Sequence, residues 1–145
     1  MPTVTEDELF ERAVEARQRA YARYSHFRVG AVIEDESGVI HVGCNVENAA
    51  YPVGICAEAG AISAMRVAGG TRIRRIAVVG GLADGPETVC APCGACRQRI
   101  AEFSDATTRI LLRDGAGNVQ RFDLSSLLPA AFGPVDVLPL SSAPE

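Results

Sequence analysis

Apolar residues recur at helical spacings of four and three from Leu9 through Ala13, Ala16, Ala20 and Tyr24, and Thr5 with Glu8 three positions on makes a capping box just ahead of them. This pattern predicts a first helix running to about Arg23. The period then changes. Residues 29–34 and 39–46 are rich in β-formers and are separated by Asp35-Glu36-Ser37-Gly38, a polar turn ending in glycine, so the first two strands are expected to pair as an antiparallel hairpin. Residues 56–68 have helical composition and stop at Gly69-Gly70, and residues 73–80 form a continuous apolar run of the buried-strand type. A further helix is expected over 93–103 and a strand over 109–113; a strand, helix, strand succession of this length demands a parallel pair. The short turn Asp114-Gly115-Ala116-Gly117-Asn118 leads into a last strand over 119–122 that hairpins back antiparallel. The expected architecture is α/β: a three-layer α/β/α arrangement around a five-stranded mixed sheet. It forms a single domain over residues 1–145, with a core at about 5–132 and a Pro/Ser-rich tail over 133–145 that is mobile or draped over the body.

Composition narrows the class. At 145 residues and 15.3 kDa, with 48% hydrophobic and 22% charged residues, the chain has one ordinary globular core, and disordered, collagenous and coiled-coil readings drop out. No apolar run approaches the roughly 20 residues needed to cross a bilayer, and the N-terminal stretch is acidic where a secretion signal is basic and then apolar, so a cytoplasmic protein without a membrane partner is expected. The formal charge is −4, and all 14 basic residues are arginine. Arg72, Arg74 and Arg75 form the only tight basic cluster, too small for the electrostatic footprint of a protein that binds a nucleic-acid polymer.

Five cysteines (Cys44, Cys56, Cys90, Cys93 and Cys96) make an odd number, which turns attention from disulfides to metal or thiolate chemistry. Cys93 and Cys96 stand i, i+3 at the opening of a predicted helix and can face one metal ion together, while Cys56 opens a different helix and can supply a third ligand. The positive end of a helix dipole favours thiolate at both places. Three soft thiolates with one open position describe a catalytic zinc site, and Glu58, two residues past Cys56, is a carboxylate placed to take a proton from water at that position. Two other readings of the cysteines stand beside this one. A C-x-x-C pair is also found as a redox couple or simply buried, and Cys90, Cys93 and Cys96 together spell the opening of an iron–sulfur motif whose continuation is missing, since Ile100 and Ala101 stand where cysteine and proline are needed. Cys44 reads as a small packing residue, and Cys90 as a loop residue near the site or a small buried apolar group; His26 and His41 read as polar or packing residues.

Together the Cys56-Ala57-Glu58 and Pro92-Cys93-Gly94-Ala95-Cys96-Arg97-Gln98 segments resemble the signature of zinc nucleobase deaminases. The further segments Phe27-Arg28-Val29-Gly30-Ala31, Gly43-Cys44-Asn45-Val46-Glu47-Asn48-Ala49, Tyr51-Pro52, Leu127-Leu128-Pro129 and Phe132-Gly133 extend the resemblance, in order, to the small homotetrameric cytidine deaminases. The resemblance implies that Cys56, Cys93 and Cys96 hold zinc and that Glu58 shuttles protons during hydrolytic deamination of cytidine and deoxycytidine in pyrimidine salvage. It implies that the Ala57 N–H contacts the pyrimidine O2, that Asn45 and Glu47 bind ribose hydroxyls, that Phe27 packs on the base, and that Tyr51 and Phe132 arrive from a neighbouring subunit of a tetramer. Plain core packing is the competing reading for the two aromatics. The family usually carries arginine directly after the catalytic glutamate, where this chain has Ala59, and Arg97 or Arg28 is the expected substitute. A related deaminase of a modified cytosine nucleoside or nucleoside antibiotic, and a zinc-stabilised nucleoside-binding module without turnover, are the alternative functions.

Overall fold

The computed structural model describes residues 3–138, so most of the expected tail, residues 139–145, lies outside the described residues. The elements run α1 (Glu6–Gln18), β1 (Phe27–Asp35), β2 (Ile40–Cys44), α2 (Ala57–Val67), β3 (Ile73–Leu82), α3 (Gly94–Glu102), β4 (Arg109–Arg113), β5 (Val119–Phe122) and α4 (Leu124–Leu127), with single 3-10 turns at Tyr51–Val53 and Pro134–Asp136. Strand order is β2-β1-β3-β4-β5. The β1–β2 and β4–β5 hairpins are antiparallel and β3–β4 is parallel, as expected, and the β1–β3 pair that joins them is antiparallel.

Alternation along the strands sorts the core into two layers. Val32, Ala77, Val79 and Leu111 face one side and pack on Leu9, Phe10 and Ala13 of α1. Their sequence neighbours Ala31, Ile33, Ile76, Val78, Ile110 and Leu112 face the other side, against Ala57, Ala61, Ile62 and Met65 of α2 and Ile100 of α3. Both faces of the sheet are therefore covered, and the two predicted cysteine-bearing helices share one of them. Asp35 organises the β1–β2 turn: its Oδ1 accepts from the Ser37 and Val39 N–H groups at 2.8 and 3.0 Å, while Gly38 takes the left-handed conformation the turn requires, φ +83°. The Asp35 Oδ2 meets His41 Nε2 at 2.7 Å in a buried pair, which gives His41 the polar packing role read from the sequence.

The capping box closes as expected, with the Glu8 N–H donating to Thr5 Oγ1 and the Thr5 N–H to Glu8, but α1 ends at Gln18, before the expected end at about Arg23. Backbone pairing wins over helical period here. The Tyr21 N–H donates to the Asn45 carbonyl at 3.0 Å and its own carbonyl accepts from the Glu47 N–H at 2.8 Å, so this stretch is drawn out of the helix to flank the chain leaving β2. The three clustered arginines are engaged within the molecule: Arg72 with Asp105, Arg74 with the Glu36 carbonyl, and Arg75 bidentate with Glu34 at 2.8 and 2.9 Å.

Candidate active site

Cys56 caps α2 and Cys93 caps α3, each in the extended conformation of a residue half inside a helix. Contacts elsewhere in the chain bring these two helix starts together. β2 and α2 touch through glycine: a Cβ on Gly43 would stand 2.4 Å from both the Ala57 carbonyl and the Ala61 N, so only glycine lets the first turn of α2 settle onto the sheet. Reciprocal backbone bonds between Val46 and Ile55, 3.0 and 2.9 Å, pinch the intervening loop and return the chain beside Asn45 and Glu47 as Cys56 is reached. Likewise the Thr88 N–H donates to the Gly80 carbonyl at 2.8 Å and folds the β3–α3 connection back toward the end of β3. The Sγ atoms of Cys56, Cys93 and Cys96 consequently lie within 4.8 Å of one another.

That donor set fits zinc. Thiolates about 2.3 Å from a tetrahedral zinc stand roughly 3.8 Å apart, which agrees with three sulfurs held within 4.8 Å of one another, and three protein ligands leave a fourth position open. Neither histidine belongs to the cluster, and among the described residues no other group of metal-ligating side chains comes together. A helix N-terminus alone does not ionise these sulfurs. At Cys93, half turned to solvent, the Cys96 N–H donates to Sγ at 3.5 Å and the thiol is held below its ordinary range. At Cys56 and Cys96 burial pushes both thiols up, with neighbouring negative groups adding to the rise. Three thiolates at this spacing repel one another and need a cation among them, which is the condition a bound divalent metal meets.

The thiolate cluster opens onto a cleft of about 310 Å³, the size of a small-ligand site, lined by Glu58 and Ala57 from α2, Val29 from β1, Asn45 and Glu47 from the chain after β2, and Cys90. Glu58 is 4% exposed, and burial pushes its carboxyl up, opposed by hydrogen bonding and by the charge of Arg99. Ala57 is the first residue of α2, where an N–H has no partner inside the helix, and the Cys56 side chain does not cap it. Asn45 and Glu47, just past the end of β2, both line the cleft. Asn45 spends half its amide on the scaffold, Oδ1 accepting from the Val29 N–H at 2.8 Å and Nδ2 donating to the Phe27 carbonyl at 2.9 Å, which leaves one lone pair and one hydrogen. Glu47 accepts from the N–H groups of Tyr24 and Ser25, both at 3.0 Å, and from the Ser25 hydroxyl, and these bonds hold its carboxyl below the usual range.

Tyr51, expected to serve a neighbour, lines the cleft of its own chain; it is 75% exposed and meets Tyr24 edge-on with ring centroids 6.0 Å apart, so it is no core residue. Phe132 is 60% exposed, which also removes the core reading, and it lies away from this cleft, its carbonyl accepting from Gln98 Nε2 at 2.9 Å. Phe27 does not line the cleft. Its ring stands beside Cys90 over Gly80, where an added Cβ would be 3.1 Å from the ring and 2.8 Å from the Cys90 sulfur. Cys90 is thereby a lining residue, its thiol pushed up to about 11 by burial.

Neither arginine expected to stand in for the missing one reaches the sulfurs. Arg97 donates to the Pro92 and Leu127 carbonyls at 2.8 and 2.9 Å, and Arg28 to the Gln18 carbonyl. Arg99 does reach them, with Nη1 3.6 Å from Cys96 Sγ. Its signal was present in the spacing, since i, i+3 from Cys96 puts it on the same helix face. Nothing in the sequence pattern marked Ser25 and Tyr24, because their place depends on α1 ending early.

The family model for the cytidine and deoxycytidylate deaminase zinc-binding region matches residues 3–112. A cytidine deaminase of Mycobacterium tuberculosis is 40% identical over 139 residues, 96% of this chain and 97% of the relative, and one of Sporosarcina psychrophila is 38% identical over 131 residues, 90% and 93% of the two chains. The crystal structure of cytidine deaminase from Burkholderia pseudomallei superposes with a TM-score of 0.80 at 41% identity, covering 88% of this chain and 99% of that one. With three thiolates gathered at two helix starts beside a buried glutamate, and with these likenesses running along nearly its whole length, the chain belongs to the cytidine and deoxycytidylate deaminase family of zinc-binding proteins.

Proposed function

We propose that the protein is a hydrolytic deaminase of cytidine and deoxycytidine acting in pyrimidine salvage, with zinc held by Cys56, Cys93 and Cys96. The observation that carries this is the opening of the three-sulfur cluster onto the same cleft as Glu58, a carboxylate that touches little solvent and would otherwise have no reason to be buried there. Zinc, when bound with one position open, supplies an activated water. Glu58 takes a proton from the water attacking C4 of the pyrimidine, passes it to N3, and carries a second to the departing amine as the C4–N bond breaks, leaving a C4 carbonyl and ammonia. The unpaired Ala57 N–H donates to the pyrimidine O2. The spare half of the Asn45 amide and the Glu47 carboxylate bind ribose hydroxyls, a pairing that favours an ordinary nucleoside over a base alone. Phe27 supports the base from behind Cys90, and Tyr51 covers the cleft mouth.

The substrate class is a small nucleoside. A net charge of −4 and a basic cluster consumed in internal contacts argue against a nucleic-acid polymer. Among the described residues no helix is long and apolar enough to cross a membrane, which is consistent with the cytoplasmic location we propose. We assign the working form to a homotetramer in which Phe132, exposed and remote from its own cleft, closes the cleft of a neighbour.

The test is loss of cytidine absorbance with matched ammonia release, alongside zinc content, in the wild-type chain and in Glu58→Ala. Wild-type turnover with one zinc per chain, lost in the variant while zinc stays, supports the proposal. Nucleoside binding without turnover in either form would establish the binding module instead, and turnover confined to a modified cytosine nucleoside would establish the related deaminase.

A further inference from the structure

Three thiolates around one divalent zinc leave the centre with a net charge of −1, so a nearby cation has electrostatic work to do there. Position 59, on the first turn of α2 and beside the centre, is alanine. Ala59 lines a groove between α2 and α3 whose other walls include Ile62, Ser63, Gln98 and Arg99. Arg99 lies across this groove from Ala59, and from α3 its Nη1 donates toward Cys96 Sγ at 3.6 Å, within hydrogen-bond range for sulfur. Among the described residues its guanidinium forms no ion pair. The charge of Arg99 is also felt at Glu58. An exposed arginine in the last turn of α3 would suit the helix dipole wherever it pointed, but that role needs no sulfur contact.

We propose that Arg99 is a positioning residue of the zinc centre: it hydrogen-bonds the Cys96 sulfur and offsets the excess thiolate charge from α3, a task for which Ala59 leaves α2 without a side chain. The inference rests on the zinc deaminase reading above. Arg99 touches the sulfur from the groove side and does not line the substrate cleft, so its loss acts on the metal and on kcat and leaves KM alone.

The test uses Arg99→Ala, Arg99→Lys and the double variant Ala59→Arg/Arg99→Ala, each loaded with zinc for release to a chelator and with cobalt(II) for its thiolate-to-metal charge-transfer absorption. Arg99→Ala is expected to release zinc roughly ten- to a hundredfold faster, the range found when a partner of a metal ligand is removed. Its charge-transfer band is expected at longer wavelength, because an unbonded thiolate gives up its electrons more easily. Arg99→Lys keeps the charge and is expected to fall between. The double variant, with guanidinium supplied across the same groove, is expected to recover the wild-type band and most of the zinc retention. Equal bands and equal release in Arg99→Ala and wild type would overturn the proposal, as would an Arg99→Ala defect that the double variant does not relieve. A wild-type chain that takes up neither metal would instead bring down the deaminase reading beneath it, so the two failures are distinguishable.

Discussion

The two helix starts that meet at the site share a cysteine cap and differ in nearly everything else. The start of α2 is pressed against the sheet through Gly43 and carries the groups that face the cleft, Ala57 and Glu58, both buried. The start of α3 stands freer: an added Cβ on Gly94 meets nothing within 4 Å, Cys93 is exposed, and its sulfur is engaged by the Cys96 N–H. One start presents a buried carboxylate to the cleft and is seated on the sheet; the other carries two of the three sulfurs, one of them exposed. The difference teaches that identical caps can serve unequal tasks, because the Cys96 N–H bond that favours a thiolate at Cys93 has no such counterpart at the Cys56 cap, where burial prevails.

The sharpest break between the two starts lies in their side chains. Glu58→Gln is expected to lower kcat by about 10²- to 10⁴-fold, the range for loss of a general acid–base, with zinc retained, whereas Cys93→Ala is expected to lose zinc and turnover together. Metal analysis run beside ammonia release separates them; zinc loss in Glu58→Gln would erase the division of labour. Next in size is the seating of the helices. Gly43→Ala is expected to cost about 1–3 kcal/mol by forcing α2 off the sheet, while Gly94→Ala stays within about 0.5 kcal/mol, both read from urea midpoints. An ordinary cap calibrates the comparison: Thr5→Ala, which breaks the capping box of α1 on the opposite face, is expected to cost about 1 kcal/mol with kcat and KM unchanged. The smallest effect is on the polar rim reached from the β2–α2 connection. Ser25→Ala removes a bond that holds the Glu47 carboxyl down, so Glu47 gains its proton at a higher pH than in the wild type. KM for cytidine is therefore expected to begin rising at a higher pH on acidification, with zinc content unaltered; a pH profile of KM identical to wild type would remove Glu47 from the ribose subsite.

Much of this is legible in the sequence. Period and turn residues are enough to place five strands and the senses of the β1–β2, β3–β4 and β4–β5 pairs, and β4 and β5 have the bounds expected of them; the β1–β3 pair that joins the hairpin to the rest of the sheet is decided only by the tertiary structure. The zinc ligands were legible because cysteine is scarce and its chemistry narrow, so three of five cysteines at helix openings limit the options. Misplacements occurred where a residue answers to two masters. Tyr24 fits the helical period yet lies outside α1, because the backbone at Tyr21 pairs with Asn45 and Glu47. The arginine that meets a sulfur is expected at 97 or 28 and stands at 99, because Arg97 is held by the Pro92 and Leu127 carbonyls while Arg99, one turn after Cys96, reaches its Sγ.

What the sequence determined by itself was the layered α/β order and the identity of the metal-binding residue types, since periodicity, caps and thiolate chemistry are local and survive without knowing what lies nearby. Tertiary structure alone decided which helix starts meet, which arginine touches sulfur, and how burial divides three cysteines between raised and lowered acidity. Those outcomes depend on distances between segments tens of residues apart, set by a glycine seat at Gly43 and backbone pairs such as Val46 with Ile55, and no pattern within one segment encodes the separation of two.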